Sequence, residues 1–500
     1  MAIIKLKRTR NSLLNISKLP PELLGDIFCW NASPTSDFLG WEDRSHSFLL
    51  VCHHWFKVAS CTPDLWSFWG TTPKEWKRCC HHSGAAPLDL VLDVYGSDHP
   101  FDSTFGWLKV LQDRATRDTI RRVRLKAGDP YLLGFIIHSL TVDREGLQSN
   151  SIESFIFLNE SKMLVSLSGF FNRYRFPKLQ HLEITGHITA QWGYLSTRTG
   201  ALTTLTLGSR FPSSIPTTSE LLSILAFNPA LRKVSVSVIP APDGNKSSFR
   251  VPLHQLKQLD LSGDVRDAAG VLHRLDHPGE IVLNLRLYEC TAVDITQVIG
   301  PYLRDHIGRR RMPQNGLGLF LSQREDTIEH NVGNVVNLDP SASEWDLAEW
   351  DLVTWFLSVE IYLNATPSKD LLEQAFLDLL AHTPQEEVVY FHAYPMALEV
   401  LSVSTQFLNA KVLRFDYTPI SALPNLGDRE IFRSLQCVLL EQVVVDDDDW
   451  SPLTTSLARR ASSGNQLDAL EIFGYPRMCK EVADDIRSMV RHFRSDNPGL

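Results

Sequence analysis

The chain has 500 residues, a formal net charge of −9 at pH 7 and ordinary globular proportions, with 43% hydrophobic and 21% charged residues. Such a chain can bury a large core, but its net negative charge argues against electrostatic binding to nucleic acid or to an anionic membrane over a broad surface. No segment approaches the roughly 18 apolar residues of a membrane span, and no uninterrupted apolar stretch of a secretory signal follows the basic N-terminus. We therefore expect an intracellular protein, in the cytoplasm and/or nucleus, with protein partners and no contact with nucleic acid or membrane.

The two short helices predicted nearest the N-terminus carry a surplus of apolar side chains. The segment ISKLPPELLGDIFCW (residues 16–30) places Pro21 in a first helical turn and Glu22 beside the helix N-terminal dipole. A second helical pattern runs through SFLLVCHHWFKVAS (residues 47–60) and is closed by Pro63. Together, these two short helices carry more large apolar side chains than one small core can bury. The surplus either packs on the following domain or covers the surface of a partner.

Cysteines and histidines are concentrated near the second helix, at residues 52–54 and 79–82. Both side chains bind zinc, but the sequence contains no Cys-x-x-Cys pair of the kind that zinc sites use. Eight cysteines in a chain of this length also argue against a disulfide framework in a reducing compartment. We expect no metal site and no cofactor.

A strand template, apolar-x-x-apolar-x-apolar, recurs along most of the remaining chain and alternates with helical patterns such as ELLSILAFNPAL. One strand and one helix cannot bury their own apolar face, so neighbouring units must share a core. Between Val282 and Ala410 the template is degenerate, with candidate strands in GLGLFLS, LSVEIYL and EEVVYFHA and a polar loop at residues 324–349. A separate α/β domain is the alternative for that region. The template begins at Ile120, Ile152, Leu179, Leu202, Leu231, Leu256, Val282, Ala410, Leu435 and Leu467.

The strings LPPELLGDIF, FLLVCHHWFKVAS and TPDLWSFW, in this order, resemble the F-box motif over residues 16–69. The following EWKRCCHHSGAAPLDLVLDV resembles a junction in many fungal F-box proteins, and the strand template resembles a leucine-rich-repeat array, a common companion of F-boxes. The resemblance implies a small all-α F-box followed by an α/β leucine-rich-repeat-like solenoid, an irregular horseshoe. Its expected parts are a disordered basic N-terminus (1–15), the F-box (16–70), a helix-turn-strand junction (71–100) and the solenoid (101–500).

The resemblance also implies a function, the substrate-recognition subunit of a Skp-cullin-F-box type ubiquitin ligase. Such a subunit binds a Skp-type adaptor, and through it a cullin, while its solenoid holds a protein substrate. The alternative is a non-ligase repeat scaffold that the F-box-like helices cap. The adaptor-binding residues that the motif implies are Leu19, Pro20, Glu22, Leu23, Ile27, Leu50, Val51 and Trp55.

In the horseshoe that the resemblance implies, the residue between the last two template positions points to the concave face, because strand side chains alternate, and we expect the target-binding residues there. Charges of both signs occur along this row, which suits one protein partner better than a uniform polyanion. We find no catalytic motif of the serine-hydrolase, phosphate-loop or zinc-protease kind, so we expect no enzyme. The predicted row contains Arg124, Glu183, Asp260, Arg286, Arg414 and Glu471.

Overall fold

The chain folds into two compact units, Met1–Leu231 and Arg232–Leu500, so the division falls inside the segment that the sequence suggests as one solenoid. The structure is a computed structural model. It describes residues 9–10, 18–32, 49, 51–69, 79–84, 86–93, 119–127, 151–160, 163–167, 171–172, 176–209, 216–237, 250–309, 317–324, 327–335, 353–363, 383, 388–393, 409–423, 426, 432–445, 449–474 and 478–496.

The first unit begins with helices α1 (Pro21–Ala32) and α2 (His53–Ser60), followed by a 3₁₀ turn (Pro63–Trp66). Cys52 caps the start of α2, because its sulfur accepts a hydrogen bond from the Trp55 amide at 3.5 Å. The helices share one apolar core with the 3₁₀ turn and the helical turn that contains Cys79. Its buried members are Leu24, Phe28, Leu49, Val58, Ala59, Leu65, Trp66 and Cys79.

A parallel sheet forms the rest of the first unit, in the strand order β1-β2-β3-β4-β6-β8. In β2, β3, β4, β6 and β8, large apolar residues at alternate positions are buried, so one face of each of these strands packs in the core. The strands β5 and β7 pair separately. The strands are β1 (Phe68–Trp69), β2 (Leu88–Asp93), β3 (Ile120–Ala127), β4 (Ser154–Asn159), β5 (Val165–Ser166), β6 (His181–Gly186), β7 (Ile188–Thr189) and β8 (Thr204–Gly208).

The second unit contains a larger sheet, whose neighbours are parallel except for β16–β15 and β15–β14. Its order is β9-β11-β13-β16-β15-β14-β17-β18-β19-β20-β21, and β10 pairs with β12 alone. The strands are β9 (Lys233–Ser237), β10 (Val251–Pro252), β11 (Gln258–Asp264), β12 (Leu275–Asp276), β13 (Val282–Cys290), β14 (Leu317–Arg324), β15 (Thr327–Val335), β16 (Val353–Leu363), β17 (Val388–Ala393), β18 (Val412–Asp416), β19 (Cys437–Glu441), β20 (Leu467–Phe473) and β21 (Val490–Ser495).

Side-chain caps fix the start of two helices between the strands, α4 and α5. Thr217 and Glu220 form a reciprocal capping box at α4, and Asp264 accepts the Arg266 amide at 2.8 Å at the start of α5. The helices are α3 (Gly193–Arg198), α4 (Thr218–Phe227), α5 (Val265–Leu272), α6 (Ala292–Asp294), α7 (Gly300–Gly308), α8 (Ser451–Ser462) and α9 (Lys480–Met489). No helix among the described residues is long and apolar enough to cross a bilayer.

The predicted fold class is wrong. The protein is α/β, built on large and mainly parallel sheets, and is not a small all-α F-box followed by a solenoid. The N-terminal helices do not form a separate all-α domain, because the 3₁₀ turn leads directly into β1, which pairs with β2. The antiparallel run β14-β15-β16 also departs from a repeat of parallel strand-helix units.

The individual strands were easier to predict than their arrangement. All ten template strands are present, as are the three candidates now assigned to β14, β16 and β17. The sequence missed β15, which occupies part of the predicted polar loop, because its polar residues give no apolar alternation. The alternative of a separate domain is not supported, since β14 to β17 pair in the same sheet as β13 and β18. The helical pattern at residues 371–384 and most of the predicted disordered N-terminus lie outside the described residues.

Gly186 is required where β6 ends beside β4. Its φ is +104°, and a Cβ added there would lie 1.9 Å from the Asn159 carbonyl oxygen. The Asn159 side chain is also fixed, donating hydrogen bonds to the carbonyls of Met163 at 2.9 Å and His187 at 2.7 Å. We expect Gly186→Ala to lower the free energy of unfolding by more than about 2 kcal/mol. Urea unfolding checks this result.

Gly200 provides the matched control for this experiment. A Cβ added at Gly200 would meet nothing within 4 Å, and its φ is not in the left-handed region. We therefore expect Gly200→Ala to leave the unfolding midpoint nearly unchanged. Equal midpoints for Gly186→Ala and Gly200→Ala would contradict the close approach of β4 and β6.

Candidate partner-binding surfaces

Large exposed apolar side chains lie along one side of α1, and two more lie in or just before α2. Leu23, Ile27 and Trp30 follow the i, i+4, i+7 spacing of one helix side and are 52%, 48% and 88% exposed. Val51 and Phe56 add 54% and 42% exposed side chains from the second helical segment. We call Leu23, Ile27, Trp30, Val51 and Phe56 the helical apolar face. Such a concentration of large exposed apolar groups is typical of a protein-interaction surface.

The opposite side of α1 fixes this face in place. Phe28 is buried and packs against Trp55, with ring centroids 5.1 Å apart. A Cβ added at Gly25 would lie 2.9 Å from Thr62 Oγ1, so glycine permits a close contact between α1 and the chain after α2. The Thr62 hydroxyl donates to the Val58 carbonyl at 2.8 Å and thereby closes α2. The exposed side chains thus project from a packed support.

The eight predicted adaptor-binding residues do not share one environment. Leu23, Ile27 and Val51 lie on the helical apolar face, and Pro20 and Glu22 are exposed beside it. Leu19 and Trp55 are half-buried, with Trp55 packed against the core, and Leu50 lies outside the described residues. The sequence prediction missed Trp30 and Phe56, although the helical spacing of Trp30 from Leu23 and Ile27 was available.

In the first unit, the residues of the predicted target-binding row lie next to one another across the sheet. Arg124, Ile156, Glu183 and Thr206 are in register on adjacent strands, and all four are half-buried. Burial lowers the pKa of the Arg124 guanidinium, although the charge of Glu183 opposes that shift. The row is therefore partly accessible, and charges of opposite sign stand two strands apart.

In the second unit, the predicted row is shifted at β13. Asp260 is paired with Asn284, whereas Arg286 is paired with Ser262, one step farther along the strands. Leu283, Leu285 and Leu287 are all buried, so the apolar template fits β13 in more than one register. Asp260 is half-buried and Arg286 is exposed. Both side chains are therefore at least partly exposed to solvent.

Arg414 and Glu471 are in register through Leu439, as predicted, but both are buried. Arg414 Nε donates to Asp416 Oδ1 at 3.0 Å, and an Arg414 Nη2 hydrogen bond reaches the Glu441 carboxylate. Their burial argues against direct contact with a target. A buried ion-pair network of this kind orders the sheet, because truncating one partner leaves a buried charge uncompensated.

His392 extends this network on the neighbouring strand. Its Nε2 lies 2.8 Å from Asp416 Oδ2, which places the proton of the neutral imidazole on Nε2. Burial lowers the pKa of His392 below its ordinary value, although the hydrogen bond to Asp416 opposes that shift. Burial alone would raise the pKa of Asp416, but the contacts with His392 and Arg414 lower it.

The lowered pKa of His392 predicts a loss of stability in mild acid. The unfolded chain takes up a proton near pH about 6.5, before the folded protein does, so stability is present above that pH and falls below it. One such group changes the free energy of unfolding by at most about 1.4 kcal/mol per pH unit. Urea unfolding should show a shallower pH dependence for His392→Gln than for the wild type. The exposed His254 supplies the control, since His254→Gln should retain the wild-type slope.

The cysteine and histidine cluster at residues 79–82 belongs to a short helical turn that Gly84 ends with a φ of +58°. Cys79 is buried in the helical core, and the His82 ring stacks on Trp66 at 4.4 Å. Within the described part of the chain, no three His, Cys, Asp or Glu side chains are arranged to hold a metal ion. No family model matches the sequence, and comparison with curated proteins gives no significant relative.

Proposed function

We propose that the protein is the substrate-recognition subunit of a Skp-cullin-F-box type ubiquitin ligase. In this proposal the helical apolar face binds the Skp-type adaptor, and through it a cullin, while accessible polar strands hold a protein target. The observation that carries the proposal is the exposure of Leu23, Ile27 and Trp30 on one side of α1. These residues lie within or next to the strings that resemble the F-box motif.

The energetics of the helical apolar face support binding to a protein. Burying a large apolar side chain contributes about 1.5–3 kcal/mol, and a few aromatic or aliphatic anchors carry most of the energy of an interface. Trp30 can serve as such an anchor, because 88% of its surface is exposed and a partner could bury most of it. The face also lacks a basic residue within α1, where Glu22 and Asp26 are the charged groups. An apolar groove is the surface that it fits best.

The link between α2 and the sheet supports a role in positioning. Trp66 is fully buried in the 3₁₀ turn, and its indole nitrogen donates to the Ala59 carbonyl at 2.6 Å. The chain then enters β1, where Phe68 is in register with Asp89 of β2. A partner bound to the helices would thus have a fixed position relative to this sheet. The protein would act by proximity, without chemistry of its own, in the cytoplasm and/or nucleus.

The alternative function, a scaffold in which the helices only cap the strands, fits the outer face of α1 less well. The cap of a repeat array presents a polar surface to solvent. Here the outer side of α1 carries three large apolar residues, Leu23, Ile27 and Trp30. A cap would explain the buried residues Leu24 and Phe28 but not these three.

Co-elution tests the proposed function. The full-length protein is mixed with a purified Skp-type adaptor and with the adaptor already bound to a cullin, and both mixtures are separated by gel filtration. We expect stoichiometric complexes in both cases, because the helical apolar face is presented without any rearrangement of its support. Separate elution of protein and adaptor at micromolar concentrations would reject the ligase assignment.

A further inference from the structure

A cluster of buried aromatic and imidazole rings joins α7 to the segment that follows β12. The buried side of this helix includes Tyr302, Leu303, His306 and Ile307. The Tyr302 ring stacks on the His306 ring, with centroids 6.4 Å apart. The buried His277 ring, which directly follows β12 in the chain, lies 6.0 Å from the His306 ring. Two imidazoles and one phenol thus pack together where α7 meets this segment.

Two hydrogen bonds fix His277 as a neutral ring. Its Nδ1 lies 2.8 Å from the Pro278 carbonyl oxygen, which can only accept, so Nδ1 carries the proton. Its Nε2 lies 2.6 Å from the Tyr302 hydroxyl, which therefore donates to it. Burial raises the pKa of Tyr302, so this hydroxyl keeps its proton. A second proton on the His277 ring would occupy Nε2, and the Tyr302 hydroxyl could then no longer donate there.

The surroundings of His277 disfavour a positive charge on its ring. Burial has the largest effect and lowers the pKa of His277 below its ordinary value, and Arg309 of α7 acts in the same direction. The carboxylates of Asp276, next to it in the chain, and of Asp305 on α7 oppose that shift. The exposed His273, at the end of α5, faces the same ring cluster. Burial outweighs both carboxylates, so the neutral ring is favoured.

Helix α7 depends on its packed side for stability. It has only 9 residues, which is too short for an isolated helix to be stable in water. A π-helical segment (Ile295–Ile299) precedes it, Ile299 provides no side-chain cap, and Pro301 lacks an amide hydrogen. At the other end, a Cβ added at Gly279 would lie 2.8 Å from Arg309 Cβ, so the helix end lies directly against the segment that carries His277.

We propose that the hydrogen bond between His277 and Tyr302 is a pH-sensitive latch, which holds α7 in place near neutral pH and releases it in mild acid. In the released form His277 is solvated and takes up a proton at about pH 6.5, whereas in the latched form it stays neutral to a lower pH. The latch is therefore closed above about pH 6.5 and weakens below it. Release exposes Leu303 and Ile307, so mild acid uncovers an apolar surface. This behaviour is independent of adaptor binding.

Hydrogen exchange of the full-length protein at about pH 7.5 and about pH 5.5 tests the latch, with each rate divided by the intrinsic exchange rate at that pH. We expect the corrected exchange of the α7 amides to be roughly five- to tenfold faster at the lower pH. One histidine with a lowered pKa changes the opening equilibrium by at most about tenfold per pH unit, which sets this range.

Four variants separate the latch from other effects of acid. His277→Gln removes the titrating group but keeps an oxygen that accepts from the Tyr302 hydroxyl, so the two corrected rates should differ by less than about twofold. Tyr302→Phe keeps the ring but removes the donor, and should speed α7 exchange already at neutral pH and weaken its pH response. The controls His273→Gln, beside the same cluster, and His392→Gln, on β17, should both retain the wild-type response.

Three results would overturn the latch. The first is equal corrected exchange of the wild-type α7 amides at both pH values. The second is a wild-type pH response in His277→Gln or, if that variant does not fold, in Tyr302→Phe. The third is loss of the response in His392→Gln, because α7 would then open only when the whole unit unfolds.

Discussion

Replacing Leu23 and Ile27 together with aspartate is expected to weaken binding of a Skp-type adaptor by roughly a hundredfold or more. Both side chains are about half exposed on the same side of α1, so they would be buried in the complex. The double variant removes two apolar contacts and leaves two carboxylates to be desolvated at the interface. Isothermal titration of the wild type and of Leu23→Asp/Ile27→Asp measures the difference.

Phe227→Asp is the matched control for adaptor binding. Phe227 is also more than half exposed at the end of a helix, but it belongs to α4 and not to the helical apolar face. The control should bind the adaptor as tightly as the wild type, and circular dichroism should show all three proteins equally folded. A double variant that binds with wild-type affinity would remove the helical apolar face from the interface.

Arg460→Met is expected to lower the free energy of unfolding by roughly 3–5 kcal/mol. Arg460 is buried on α8, and its guanidinium donates to four backbone carbonyls. Methionine retains much of the side-chain volume but donates no hydrogen bond, so these buried carbonyls lose a charged partner. Urea unfolding monitored by circular dichroism provides the measurement. The acceptors are Leu426 at 2.9 Å, Phe432 at 3.1 Å, Leu435 at 3.0 Å and Asn465 at 3.2 Å.

The neighbouring Arg459 distinguishes this effect from a general loss of charge. Arg459 lies in the last turn of the same helix but is exposed. Arg459→Met should change the unfolding free energy by less than about 1 kcal/mol, the usual range for a surface charge near a helix C-terminus. Similar losses in both variants would show that the carbonyl contacts of Arg460 contribute little.

Local chemistry made the elements of this protein predictable. Alternating apolar residues identified β3, β4, β6 and the other template strands, since a half-buried strand needs that alternation whatever its neighbours are. Pro21 and the apolar spacing behind it identified α1 in the same way. The antiparallel hairpin of β14 and β15 was missed, because pairing direction depends on residues far apart in the chain and β15 has no apolar pattern.

The candidate surfaces were predictable only in part, for a related reason. An apolar surplus in α1 and α2 can be counted from the sequence, but which side chains remain uncovered depends on what Leu24 and Phe28 pack against. Along the predicted target row, Asp260 and Arg414 have the same strand position, yet one is accessible and the other is buried. The register slip at Arg286 arose because three alternating leucines of β13 satisfy the template equally well.

Hydrogen exchange of the full-length protein, with and without a saturating Skp-type adaptor, tests the central claim most directly. The claim is that the adaptor covers the helical apolar face. We predict strong new protection of amides in α1 and α2 and unchanged exchange in β9, β11 and β13, which would remain open to a target. Protection confined to the strands, or unchanged exchange in Pro21–Ala32 and His53–Ser60, would contradict the claim.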